Sequence, residues 1–184
     1  MKTSIKFLAA LAIMMGFTLM ANAQSPVTHP VTANATVQTQ LLVTQYQPLN
    51  FGTVDNVVAQ TKTVSVLGVA SSSGGSVAQT GVQEGVGEIV RTGGVVTYKL
   101  NTPPTELSGT AGSKLPILNY TTSYSITTVG GTQTAGNSTV TLPTSVAAGT
   151  DDIYVHIGAT VSPSAATTST GNHTADITLS AEYN

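Results

Sequence analysis

From Ala175 to the end of the chain, apolar and polar side chains alternate without a break. Ala175, Ile177, Leu179, Ala181 and Tyr183 are apolar, and Asp176, Thr178, Ser180 and Glu182 between them are polar. Successive side chains point to opposite faces of a strand, so this period of two predicts a half-buried β-strand. Counted from His173 to Tyr183 the pattern covers eleven residues, which at about 3.3 Å each would span roughly 36 Å, twice the usual strand. A strand that ends a chain commits the fold to a sheet with the terminus as one member, and its edges must be paired, covered or used.

A second alternating run stands near the other end. Ala33, Ala35, Val37, Thr39, Leu41 and Val43 occupy odd positions, with Asn34, Thr36, Gln38 and Gln40 between them. Ahead of it lies the pattern of an export signal: Lys2 and Lys6, an apolar run from Phe7 to Met20, and Ala21-Asn22-Ala23 as a small-x-small cleavage site. Cleavage would leave 161 residues starting at Gln24, a length that suits one domain with one core. The expected organisation is a signal peptide over 1–23, a lead over 24–32 and a single domain over 33–184. The apolar run is short for a membrane span and no second one follows. The mature chain is therefore expected not to span a membrane, to cross the periplasm and to reach the cell surface or the medium.

Charge narrows the choice of function. Charged residues make up 8% of the chain, against roughly 25% in ordinary globular domains. Loss of Lys2 and Lys6 leaves four Lys and Arg against eight Asp and Glu, a net charge near −4 with His neutral. Four cations cannot build the basic footprint that nucleic-acid binding needs. Thr and Val favour strands, Gly and Ser favour turns, and these residues dominate. With no Cys, disulfides, thiol chemistry and cysteine-based metal sites are excluded, and stability must come from the core or from assembly.

Between the two ends, Val64 and Val66 mark a strand, and Ser71 to Ser76 reads as a loop. Val96, Tyr98 and Leu100 share a face ahead of Pro103-Pro104. Tyr120, Thr122, Tyr124 and Ile126 share another, and Gly130-Gly131 marks a turn. Val140 and Leu142 suggest a short strand, and Ile153, Val155, Ile157, Ala159 and Val161 alternate up to Pro163. The pattern predicts an all-β chain folded as an immunoglobulin-like β-sandwich of about seven or eight strands, one that a donated strand can complete.

Residues that carry chemistry are sparse. His29, His156 and His173 lack ligand spacing, and the phase of its strand puts His156 on the outward face. Asp151-Asp152 reads as a polar turn, since calcium needs six or more oxygens from a suitable loop. Glu84 and Glu88 lie in a Gly-rich segment, and Gly85-Val86-Gly87 lacks the βαβ unit of a dinucleotide site. No catalytic residue, cofactor or metal is expected, and the chain is not expected to be an enzyme.

Three short motifs carry a resemblance: Leu49-Asn50-Phe51-Gly52, Gly158-Ala159-Thr160-Val161 in a late strand, and an ending with Gly171 fourteenth and Tyr183 second from the C-terminus. Together they resemble a family of secreted bacterial proteins with an L-N-F-G motif and an A-x-Y ending. That family is similar to the spore coat protein U domain of archaic chaperone–usher pili. The resemblance implies a structural subunit of a cell-surface fibre, polymerised with copies of itself or with related subunits. It also implies a periplasmic chaperone and an outer-membrane usher. The terminal strand, with Gly171, Ile177, Leu179 and Tyr183, would be the attachment surface. Ala33, Ala35, Val37, Leu41 and Val43 would be the donated face, burying four or so aliphatic side chains for on the order of 6–12 kcal/mol before ordering costs. Two alternatives stay open. Ala33 to Val43 can instead be the first strand of a self-contained sandwich. The chain can also be a secreted monomeric binding module for carbohydrate or a matrix partner.

Overall fold

The structure, a computed structural model, describes residues 41–55, 60–73, 80–126, 128–163, 168 and 170–184. All of them belong to one compact unit, Gln38–Asn184. The expected signal peptide, the lead and the proposed donor positions Ala33, Ala35 and Val37 lie outside the described residues.

The described residues form strands and turns, with one 3-10 turn at Thr110–Gly112 and no α-helix. The strands are β1 (Leu42–Gln47), β2 (Asn50–Phe51), β3 (Thr61–Val64), β4 (Ala70–Ser73), β5 (Val82–Gln83), β6 (Gly85–Val90) and β7 (Val96–Asn101), followed by β8 (Glu106–Ser108), β9 (Lys114–Ile126), β10 (Thr134–Ala135), β11 (Thr144–Val146), β12 (Ile153–Val161) and β13 (Thr178–Tyr183). Eight of them have four residues or more.

The larger sheet is built around β12. One of its edges pairs antiparallel with β9 along nearly its whole length. The other is shared by β6, from Ile153 to Ile157, and β3, from Ala159 to Val161. β1 extends this sheet beyond β6, and β4 extends it beyond β3. The smaller sheet has the order β11-β7-β13. The two sheets face each other across Ile89, Val96, Tyr98, Leu100, Ile153 and Val155, all at most 2% exposed. This is the expected β-sandwich. A second core cluster, around Phe51, Val64, Leu115, Ile117 and Val161, fills one end.

The glycines of the sequence motifs have physical reasons. Gly52 has φ +60°, and a Cβ there would stand 2.6 Å from the Thr80 carbonyl oxygen. Asn50 Oδ1 accepts from the Gly52 N–H at 2.8 Å, and Phe51 beside it is buried, so the motif is a turn with an apolar anchor. It also pairs Asn50–Phe51 with Val82–Gln83. At Gly158, a Cβ would stand 2.6 Å from the Val64 carbonyl oxygen, so β3 can close on β12 only over a glycine.

Leu42–Gln47 pairs with β6, with Val43 opposite Ile89. Several expectations about strand bounds are corrected. β3 stops at Val64 because Ser65 to Val69 turn, with hydrogen bonds from Gly68 N to Ser65 O and from Ser65 N to Val69 O. Ala70–Ser73 is a strand, since its backbone pairs with β3 whatever its side chains prefer. Val140 and Leu142 form no strand; Leu142 is 51% exposed, and β11 begins only after Pro143. The terminal strand is six residues long. Its partner β7 ends at Asn101, ahead of Pro103-Pro104, so pairing stops at Thr178 opposite Asn101.

Candidate functional site

Along one side of the sandwich β1 and β13 approach each other without pairing, and Leu179 reaches across to Gly87 of β6. Among the described residues β1 pairs only with β6, and β13 pairs only with β7, so each leaves one edge unpaired. Between these edges runs a groove of about 1510 Å³. β1 and the stretch from Leu49 to Val54 form one side, and residues 170–179 form the other. Leu107, Leu115, Ile117 and Ile157 lie between them.

The groove is apolar where a core should be closed. Leu41, Val43 and Leu49 from one side, and Ile177 and Leu179 from the other, pack against the main core yet stay partly exposed. Their counterparts Leu100, Val155 and Ile89 are sealed at 0% exposure. Apolar side chains that touch a core but still face water mark an unfilled position in the sandwich. Asp55 and Asp176 stand on the groove lining, which among the described residues contains no Lys or Arg.

Residues before β13 are held away from the smaller sheet. Thr174 exchanges two backbone hydrogen bonds with Ser108, at 2.9 and 3.0 Å. His173 donates from Nδ1 to the Gly171 carbonyl at 3.1 Å, so its Nε2 accepts from Ser113 Oγ at 2.8 Å. Gly171 itself has φ +135°. The strip from Gly171 to Ile177 thus forms a groove wall, pinned to β8 and the 3-10 turn. Farther on, Tyr183 lays its ring over Gly94 and its hydroxyl accepts a long hydrogen bond from Thr92 N at 3.4 Å.

The expected site residues therefore divide. Leu41, Val43, Gly171, Ile177 and Leu179 come together at the groove or the core beside it. Tyr183 closes the far end of β13 against the main core.

Two polar features were not legible from spacing. His156 is fully buried rather than outward, between β6 and β9, with Ser125 and Glu84 against its ring. Its Nε2 lies 3.0 Å from Ser125 Oγ and its Nδ1 lies 3.4 Å from Glu84 Oε1. The acid–imidazole–hydroxyl order matches that of a nucleophile relay. Ser125, however, is 1% exposed and donates to the Thr128 carbonyl, and neither Ser125 nor His156 lines the groove. The chain of contacts ties Glu84, β12, β9 and the following turn together. Burial lowers the His156 pKa below 6.5, with Glu84 opposing. The second feature is Arg91, 3% exposed, whose guanidinium donates to the carbonyls of Asp151, Gly94 and Ala147 and so ties the β6–β7 loop to the β11–β12 loop. Among the described residues no three His, Cys, Asp or Glu side chains converge as a metal site.

No protein-family model, curated protein or solved structure matches this chain.

Proposed function

We propose that the chain is a structural subunit of a bacterial cell-surface fibre, and that subunits join when residues 24–40 of one copy fill the groove of the next. The observation that carries this reading is the groove at this side of the sandwich, with an unpaired edge on β1 and on β13 and partly exposed apolar side chains on both walls. An extended segment laid there pairs its backbone with an edge and points alternate side chains into the gap. Residues 33–41 have that alternation and directly precede β1. Residues 24–41 contain no Asp or Glu, which suits a groove lined by Asp55 and Asp176.

With Leu41 and Val43 already packed in the acceptor, the donor has less to bury than the sequence pattern promised. Val37 contributes roughly 1.5–3 kcal/mol and each alanine methyl about 0.8 kcal/mol. Covering Leu49, Ile177 and Leu179 adds to this, and main-chain pairing supplies the remainder. Export through the periplasm, with a chaperone holding the groove until assembly, is the route such a subunit requires. A self-contained monomeric sandwich would instead leave Leu49, Ile177 and Leu179 as the partly exposed rim of its own core. The test is the mass of the purified mature chain, beginning at Gln24, measured by light scattering across a range of concentrations. The proposal expects a ladder of oligomers. A monomer at every concentration, with no polymer on seeding, overturns it.

A further inference from the structure

On the outer face of the larger sheet, Tyr46, Glu88 and Tyr154 form a small site that does not line the groove, although Thr44 beside it does. Thr44, Glu88 and Tyr154 lie side by side across three adjacent strands, β1, β6 and β12. The bulge between Gln45 and Gln47 carries Tyr46 out of the ladder, and it stands 57% exposed. Its ring meets that of Tyr154 at 82°, with centroids 5.7 Å apart. Two perpendicular rings make a corner with an electron-rich face on each wall. Glu88 sits beside that corner and accepts from Thr44 Oγ1 at 3.2 Å.

The charge at this corner is one-sided. Among the described residues no cation is seen paired with Glu88. Asp152 adds a second negative charge near Tyr154. A hydrogen bond to Glu88 raises the Tyr154 pKa, and the charges of Glu88 and Asp152 raise it further. Aromatic walls and an uncompensated carboxylate are the two halves of an ammonium site: ring faces attract a cation, and the carboxylate accepts its N–H groups. A neutral ligand would gain only half of this.

We propose that Tyr46, Tyr154 and Glu88 form a binding site for a primary alkylammonium group presented by a ligand at the surface of the molecule. Such a group has two common sources, the amine of a de-acetylated amino sugar and the side chain of a lysine. The hydrogen-bonding demand of Glu88 favours a primary ammonium over a quaternary one, which has no N–H to donate.

The experiment is a titration of the mature protein with glucosamine, Nα-acetyl-lysine amide, tetramethylammonium and N-acetylglucosamine, followed by the ring resonances of Tyr46 and Tyr154. The expected result is saturable shifts with the first two ligands, at least tenfold weaker in Tyr46→Ala and in Glu88→Gln. Thermal melts check that both variants remain folded; Tyr46 is exposed, and Gln keeps the shape of Glu88. Tighter binding of glucosamine assigns the amino sugar as the source, and tighter binding of the lysine amide assigns a protein side chain. The proposal is overturned if neither primary amine saturates, if N-acetylglucosamine or tetramethylammonium binds as well, or if Glu88→Gln binds unchanged. Tyr46, Glu88 and Tyr154 do not line the groove, so a failure here leaves strand donation standing, and the reverse also holds.

Discussion

The Tyr98 hydroxyl is buried beside the Thr122 and Thr144 hydroxyls without a well-formed hydrogen bond, and burial pushes its pKa up to about 12. A buried polar atom without a good partner costs free energy. Tyr98→Phe should therefore leave stability unchanged or raise it by about 1 kcal/mol; a loss beyond 1 kcal/mol in urea denaturation would mean that the hydroxyl is well bonded. His156 gives the pH dependence. Its folded pKa lies below the 6.5 of the unfolded chain. As the pH falls through 6.5 the unfolded state takes up a proton that the folded state resists, so stability drops on acidification until the folded pKa is reached. The urea midpoint should fall between pH 7.5 and 5.5, and less in His156→Asn. A rise on acidification would show that the Glu84 charge outweighs burial. Neither residue's environment was fully legible in the sequence. The core position of Tyr98 follows from alternation with Val96 and Leu100, but alternation says nothing of hydroxyl partners. His156 looked outward because the pattern assumes one wet face, and on β12 only Tyr154 keeps partial exposure.

At the scale of elements, alternation located the strands that have one buried face. β7 follows its pattern except at Thr97, which is buried, and the end of β13 keeps its apolar positions against the core. It failed where geometry breaks the period. In β9 the core-facing positions are odd at Leu115 and Ile117 and even at Tyr120 and Thr122. Asn119, at φ +53°, and the shifted pairing opposite Gly158 and Thr160 are the bulge that changes the phase. β4 was invisible because its serines resemble a loop. The elements also differ in how much they hold. Leu100→Ala in β7 should cost about 2–5 kcal/mol, as for a sealed core leucine. Leu179→Ala in β13 should cost clearly less, since that side chain still faces the groove. Equal costs in thermal or urea unfolding would mean that the groove side of β13 is closed core. Gly158→Ala should cost about 1–3 kcal/mol by forcing β3 from β12, and a neutral result would show that this contact yields.

At the scale of the whole molecule, the sandwich class was readable because composition and strand spacing both require it. The groove was not, because it arises from how far β7 and β13 run and where Thr174 is tied. No local pattern records those lengths. The claim to be tested is that the open side receives residues 24–40 of another copy. The direct measurement uses a chain beginning at Leu41, mixed with a labelled peptide of residues 24–40 and followed by anisotropy and thermal melting. Saturable binding that raises the melting temperature, and that Leu179→Asp abolishes while the protein stays folded, is the predicted result. A folded chain that ignores the peptide, or an unfolded one that the peptide cannot rescue, would contradict it.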